Sequence, residues 1–126
     1  MNLVEHFKNA RNAVSVPAGR MIFRAGERGT VMYVLMSGSA GVVVGQELVE
    51  IARPGAILGE MALLDGTVRS ATVVARGDCQ LVPVPREQFA LLITEEPQFA
   101  HEVMKSMARR LRSMNERAEE ALPLAA

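Results

Sequence analysis

From Val14 to about Val84 the sequence is a series of short β-branched runs, each cut by glycine or proline. They read "SVPAG", "MIFRAGERG", "VMYVLMSGSAGVVVG", "ELVEIARPG", "SATVVARGD" and "CQLVPVP". No other feature constrains the fold as strongly. Short strands punctuated at this spacing predict an antiparallel barrel or sandwich. Within the series, "SGSAG" lies between "YVLM" and "VVV" and predicts a hairpin turn, because glycine supplies the positive φ that tight turns need.

The texture on either side is helical. Leu3, Phe7 and Ala10 are spaced as one face of a short amphipathic helix over residues 2–13. After Pro85, "REQFALLITE" carries apolar residues at 89, 92 and 93 and predicts a second helix. Glu95, Glu96 and Pro97 then open a third, since acids and proline are both favourable in a first turn. Val103, Met107, Leu111, Met114, Ala118 and Ala121 form one apolar stripe along it, and Pro123 should end it. The expectation is a mainly β domain with flanking helices over residues 1–126. It comprises an N-terminal helix (1–13), an antiparallel β-roll or jelly-roll barrel (14–84) holding a short helix of its own, and two C-terminal helices (85–122).

Composition narrows the function. Lys+Arg and Asp+Glu number 14 each, so no net field draws in nucleic acid or an anionic membrane. With no Trp, one Tyr and 8 Met, the core must be aliphatic and methionine-filled. Cys79 has no second cysteine to pair with and sits where a buried strand residue is expected. No apolar run approaches the ~20 residues that span a bilayer. "MNLVEHFKNARNA" lacks the apolar core of a signal peptide, so a cytoplasmic protein is expected.

The chemistry concentrates in "GEMALLDGTVRSATV", residues 59–73. Pro54 and Gly55 break the strand pattern ahead of it, and "EMALL" reads as about one turn of helix set into the β fold. Gly59 allows close approach to the backbone. A carboxylate such as Glu60 accepts hydrogen bonds from sugar hydroxyls. Arg69 offers a planar fork that fits two phosphate oxygens. Ser70 adds a hydroxyl, and small Ala71 leaves its N–H accessible. An acceptor for a ribose and several donors for a phosphate thus follow one another along one loop. The spacing of Glu60 and Arg69 alone is equally compatible with a surface ion pair.

This pattern (Gly-Glu-x-Ala-Leu, a short variable loop, then Arg-Ser-Ala-Thr) resembles the phosphate-binding cassette of the cyclic nucleotide-binding domain family. The likeness extends to Gly19, Gly26 and Gly38 between strands, and to "PREQFALLITEEPQFAHEVMKSMARRLRSMNE" after the barrel, closest to the activator-protein branch. The resemblance implies a cassette over residues 59–72 that binds a 3′,5′-cyclic nucleotide, cAMP in preference to cGMP, with no other cofactor and no metal. Glu60 would hold the ribose 2′-hydroxyl, with Leu58, Gly59, Met61 and Ala62 around the ribose-phosphate. Arg69, Ser70 and the Ala71 amide would hold the phosphate. Met114 or Asn115 on the last helix would cover the purine, where the activator branch carries hydroxyl residues. The sequence given stops soon after that helix, without the helix-turn-helix of the activators, so DNA binding is not expected.

Other features carry less. His6 and His101 lie far apart with no acid or cysteine at ligand spacing, so neither is expected to bind metal or to catalyse. "ARRLR" (108–112) reads as a solvated or ion-paired helix face beside Glu102, Glu116, Glu119 and Glu120. No nucleophile stands beside a base, which argues against an enzyme. The thin apolar stripe would support only weak pairing with a second copy or docking on an effector protein. The rival readings are a regulatory module of a larger channel, transporter or kinase, a family member without nucleotide that serves as a dimerisation scaffold, and an unrelated enzyme with a β-barrel.

Overall fold

A computed structural model of the chain describes residues 1–66 and 68–121, the side chain of Ala121 excepted. The elements in order are α1 (Leu3–Phe7), β1 (Val14–Val16), β2 (Met21–Phe23), β3 (Val31–Ser37), β4 (Ala40–Val44), β5 (Glu47–Ala52), β6 (Ile57–Leu58), α2 (Glu60–Asp65), β7 (Thr72–Ala75), β8 (Cys79–Pro85), α3 (Arg86–Glu95) and α4 (Pro97–Ala121). The strands form two four-stranded antiparallel sheets, ordered β1–β8–β3–β6 and β2–β7–β4–β5. This is the mainly β fold expected, an antiparallel β-roll with helices at both ends.

Burial explains why β3 and β8 read as almost continuous apolar runs. Leu35, Leu81 and Cys79 pack between the sheets with Leu58, Val42, Val73 and Ala75. Met32, Val34, Val82 and Val84 face the other way and pack under α1, α3 and α4 against Phe7, Phe89, Phe99 and Val103. The first sheet is therefore covered on both faces, and alternation in polarity disappears. Cys79 is buried as expected, with Sγ 3.2 Å from the Ser39 carbonyl; burial pushes its thiol pKa up.

Three local expectations are corrected. "SGSAG" is not a hairpin: β3 pairs with β6 and β8, β4 with β5 and β7, so this turn carries the chain from one sheet to the other. Gly38 is still needed, because φ is +86° and a Cβ there would strike the Asp78 carbonyl. A positive-φ turn serves either connection, and strand pairing, which is non-local, decides between them. The hairpin lies next along the chain, where Val44 pairs with Glu47.

The N-terminal helix stops at Phe7 rather than near residue 13. Asn2 caps its start by accepting from the Glu5 amide at 3.0 Å, and Asn12 instead donates to the Pro83 carbonyl at 3.0 Å. The chain beyond Phe7 is thus committed to the barrel edge.

The expected stripe on α4 is packed only at its start, where Val103 is buried and Met107 lies against the core. Leu111 and Met114 are 60% and 49% exposed, whereas Phe99, Val103, Ser106, Arg110, Ser113 and Arg117 line the side turned to the barrel. Beyond Ser106 that face is polar, because the strand it meets offers carboxylates and edge carbonyls rather than an apolar surface. Pro123, the expected helix end, lies outside the described residues.

Candidate functional site

The site begins where β6 hands over to α2. Gly59 has φ +84°, and a Cβ there would fall on the Arg69 guanidinium. Glycine therefore both permits the left-handed turn and leaves space for the arginine. Glu60 opens α2 and is fully buried. A buried carboxylate needs a cation or several donors. Arg110 of α4 meets that need: Nη1 donates to Glu60 Oε1 at 2.5 Å, Nε to Glu50 Oε2 at 3.1 Å, and Nη2 to the Ile57 carbonyl at 2.6 Å. Burial pulls the Arg110 pKa down, but Glu60 and Glu50 outweigh it and hold it above the ordinary arginine value. Glu60 Oε2 is buried with no hydrogen-bond partner among the described residues. It is a buried acceptor left unsatisfied.

Arg69 lies on the facing wall and is 6% exposed. Its Nη1 donates to the Gly59 carbonyl at 3.0 Å and its Nη2 to the Val31 carbonyl at 2.6 Å, while Cζ sits 4.2 Å from the Phe23 ring centroid. These are neutral partners for a full charge. Burial accordingly lowers the Arg69 pKa, against the opposing pull of Tyr33, Glu27 and Glu60, yet arginine stays charged at any working pH. The backbone pins the residue too, since the Arg69 amide donates to the Glu27 carbonyl at 2.7 Å.

Two small cavities meet at this point. One, of about 30 Å³, is lined by Phe23, Leu58, Gly59, Glu60, Ala62 and Arg69 among others. The second, of about 90 Å³, is walled by Val42, Val44, Val49, Met61 and Met114. They share Val42, Met61, Ser70, Ala71 and Arg110. Chemically, the first offers an unsatisfied carboxylate oxygen opposite a guanidinium; the second is mostly apolar, with Glu50, Ser70, Arg109, Arg110 and Ser113 also in its lining.

The sequence profile of the cyclic nucleotide-binding domain matches residues 13–96. The chain belongs to the cyclic nucleotide-binding domain family. It is 39% identical over 101 residues to a cyclic AMP receptor protein of Thermus thermophilus, covering 76% of this chain and 47% of that protein. It is also 39% identical over 101 residues to a cyclic nucleotide-gated potassium channel of Mesorhizobium japonicum, covering 80% of this chain and 28% of the channel. The crystal structure of a Thermus thermophilus catabolite activator protein superposes with a TM-score of 0.72 at 33% identity, over 85% of this chain and 53% of that one. The chain thus spans less than half the length of each of these two curated relatives. Among the described residues no helix is long and apolar enough to cross a membrane.

In this cyclic nucleotide-binding domain, Leu58, Gly59, Glu60, Met61, Ala62, Arg69, Ser70 and Ala71 come together around the first cavity. Ser70 is exposed, with Oγ 3.7 Å from the Met61 sulfur. Met114 reaches the second cavity; Asn115 is exposed and lines neither. Sequence reasoning placed "ARRLR" on a solvated or ion-paired face without singling out Arg110, which is ion-paired but buried. Arg109 and Arg112 are exposed, but the Arg110 side chain is only 16% exposed. A signal existed: Phe99, Val103, Ser106 and Arg110 step by four, three and four, which puts Arg110 on the buried face. Gly29 was missed as well. A Cβ there would collide with Ala62 and with the Arg69 guanidinium, so its smallness keeps the cassette and the arginine in register.

Proposed function

We propose that this domain is a receptor for a 3′,5′-cyclic nucleotide, cAMP in preference to cGMP, and that its C-terminal helices move on binding. One observation carries the reading. A buried carboxylate with an unpartnered oxygen and a buried guanidinium with only neutral hydrogen-bond partners open onto the same cavity. A ribose hydroxyl donating to Glu60 Oε2 and an anionic phosphate at Arg69 would satisfy both at once. Ser70 and the Ala71 amide supply further donors beside Arg69, and Met114 would lie against the purine. The presence of a cyclic AMP receptor among the relatives supports adenine as the base.

The helix movement follows from size. Cavities of about 30 and 90 Å³ are well below the ~300 Å³ at which ligand sites begin, so α4 must yield to admit a nucleotide. Arg110 joins α4 directly to Glu60, which makes this contact the natural point at which ligand and helix compete. The chemistry is binding rather than turnover, as among the described residues no nucleophile–base pair lines the cavity. Short coverage of both relatives favours a regulatory module acting within a larger protein.

A calorimetric titration with cAMP, with 5′-AMP as control, tests the reading. Saturable one-site binding of cAMP and far weaker binding of 5′-AMP is expected. Heat indistinguishable from dilution for cAMP would refute it.

A further inference from the structure

We infer that Arg86 is a positioning residue for the cassette, setting the helix that carries Glu60 against the strand end that holds Arg69; this rests on the receptor reading above. α2 runs only from Glu60 to Asp65 and has no basic residue in its last turn. So short a helix makes few bonds of its own, and its last carbonyls have no partner within it. Arg86, the first residue of α3, supplies from outside what α2 lacks: its Nη1 donates to the Leu63 carbonyl at 2.9 Å. A cation at that end also suits the helix dipole. The Leu63 side chain lies in the apolar cluster with Phe89 and Phe99. Apolar burial is non-directional, whereas a bond from a planar guanidinium fixes orientation.

Where Arg86 is anchored decides what it positions. Pro85, immediately before it, pairs with Val31 at the ends of β8 and β3. The Val31 carbonyl accepts from Arg69 Nη2 at 2.6 Å. One strand end therefore holds both sides of the cavity, Arg69 through Val31 and α2 through Arg86. Glu60 lies one turn before Leu63, so a shift of α2 moves the carboxylate relative to the guanidinium. A ribose hydroxyl and a phosphate on one rigid nucleotide must meet both groups at once, which tolerates a displacement of only about 0.5 Å. Arg110 grips the other end of α2 by the Glu60 side chain, so losing Arg86 loosens the helix without releasing it. Arg86 itself is exposed and lines neither cavity.

The test is calorimetric titration of the whole chain and of Arg86→Ala with cAMP and with 2′-deoxy-cAMP, the fold of each protein verified by circular dichroism. Arg86→Ala should weaken cAMP by about threefold to tenfold, part of what a bond from a charged donor is worth, because it acts on the ligand through Glu60. The 2′-deoxy analogue gives Glu60 nothing to accept and should change by less than about twofold. Arg86→Met keeps the apolar arm and loses only the donors; it should give the same pattern, and it carries the test if the alanine variant does not fold. Equal weakening of both ligands overturns the inference, because Arg86 then supports the domain without setting Glu60. Binding of cAMP within about twofold of the parent also overturns it, since the contact to Leu63 then positions nothing. If the parent binds neither ligand, the receptor reading itself fails, and the inference with it.

Discussion

Replacing Arg110 by alanine removes the cation that compensates Glu60. The cost can be worked from the geometry. Glu60 is fully buried, and its Oε1 receives a 2.5 Å bond from Arg110. Breaking a buried pair by deleting one partner costs ~3–5 kcal/mol, because the remaining charge is stranded. The Ile57 carbonyl also loses its 2.6 Å donor, a loss that overlaps with the first rather than adding to it. Against a total stability of about 5–15 kcal/mol, roughly a fifth or more should vanish. Glu60→Gln/Arg110→Ala leaves only the partly exposed Glu50 without its cation and strands no fully buried charge, so it should lose clearly less than the sum of the two single losses. Urea unfolding of the parent, both single variants and the double closes the cycle, with a coupling of at least ~1 kcal/mol expected. Arg110→Ala within ~1 kcal/mol of the parent, or strictly additive losses, would refute the claim that the ion pair holds α4 on the cassette.

Other outcomes follow from the same contacts. Gly59→Ala forces a side chain into positive φ and onto the Arg69 guanidinium, so it should cost at least ~1–3 kcal/mol in thermal unfolding and weaken nucleotide binding; unchanged values for both would remove the close-approach argument. Glu60→Ala should weaken cAMP by severalfold to ~100-fold while barely changing the affinity of a 2′-deoxy analogue, because a hydrogen bond to a charged group is worth ~1.5–3 kcal/mol; equal losses would make Glu60 purely structural. Arg117 bonds Glu47 at 2.8 Å and the Leu48 carbonyl at 2.9 Å, outside both cavities. Arg117→Ala should therefore speed dissociation of a fluorescent cAMP analogue by a few-fold, as expected for a largely exposed pair worth ~0–1 kcal/mol plus one carbonyl contact; an unchanged rate would show that the end of α4 plays no part in retaining ligand.

What was legible in the sequence was local. Glycine and proline cutting β-branched runs marked the β-roll, and Pro97 marked the start of α4. The Gly59–Glu60 and Arg69–Ser70 pairs are close in sequence and line one cavity. What escaped depended on distant partners. Whether "SGSAG" closes a hairpin depends on β8 and β7, which arrive some forty residues later. The helical step from Phe99, Val103 and Ser106 marks Arg110 as a buried-face residue, but its role depends on a carboxylate 50 residues away. The methionine–leucine stripe of α4 misled for the same reason: helical periodicity shows that a face is apolar but not what covers it, and the barrel presents Glu47, Glu50 and edge carbonyls to a different face. Gly29 shows no positive φ, and its need for smallness appears only once Ala62 and Arg69 are folded against it.

The most direct test of the cassette is the dissociation constant of cAMP for Arg69→Leu, measured by calorimetry on protein whose fold has been verified by circular dichroism. Leucine can still pack on Phe23 but offers no charge to a phosphate. Losing the charged partner of a buried anion costs ~3–5 kcal/mol, so binding should weaken by more than ~100-fold and fall below detection. A folded Arg69→Leu variant that binds cAMP within about threefold of the parent would contradict the assignment, since an effect that small is under 1 kcal/mol.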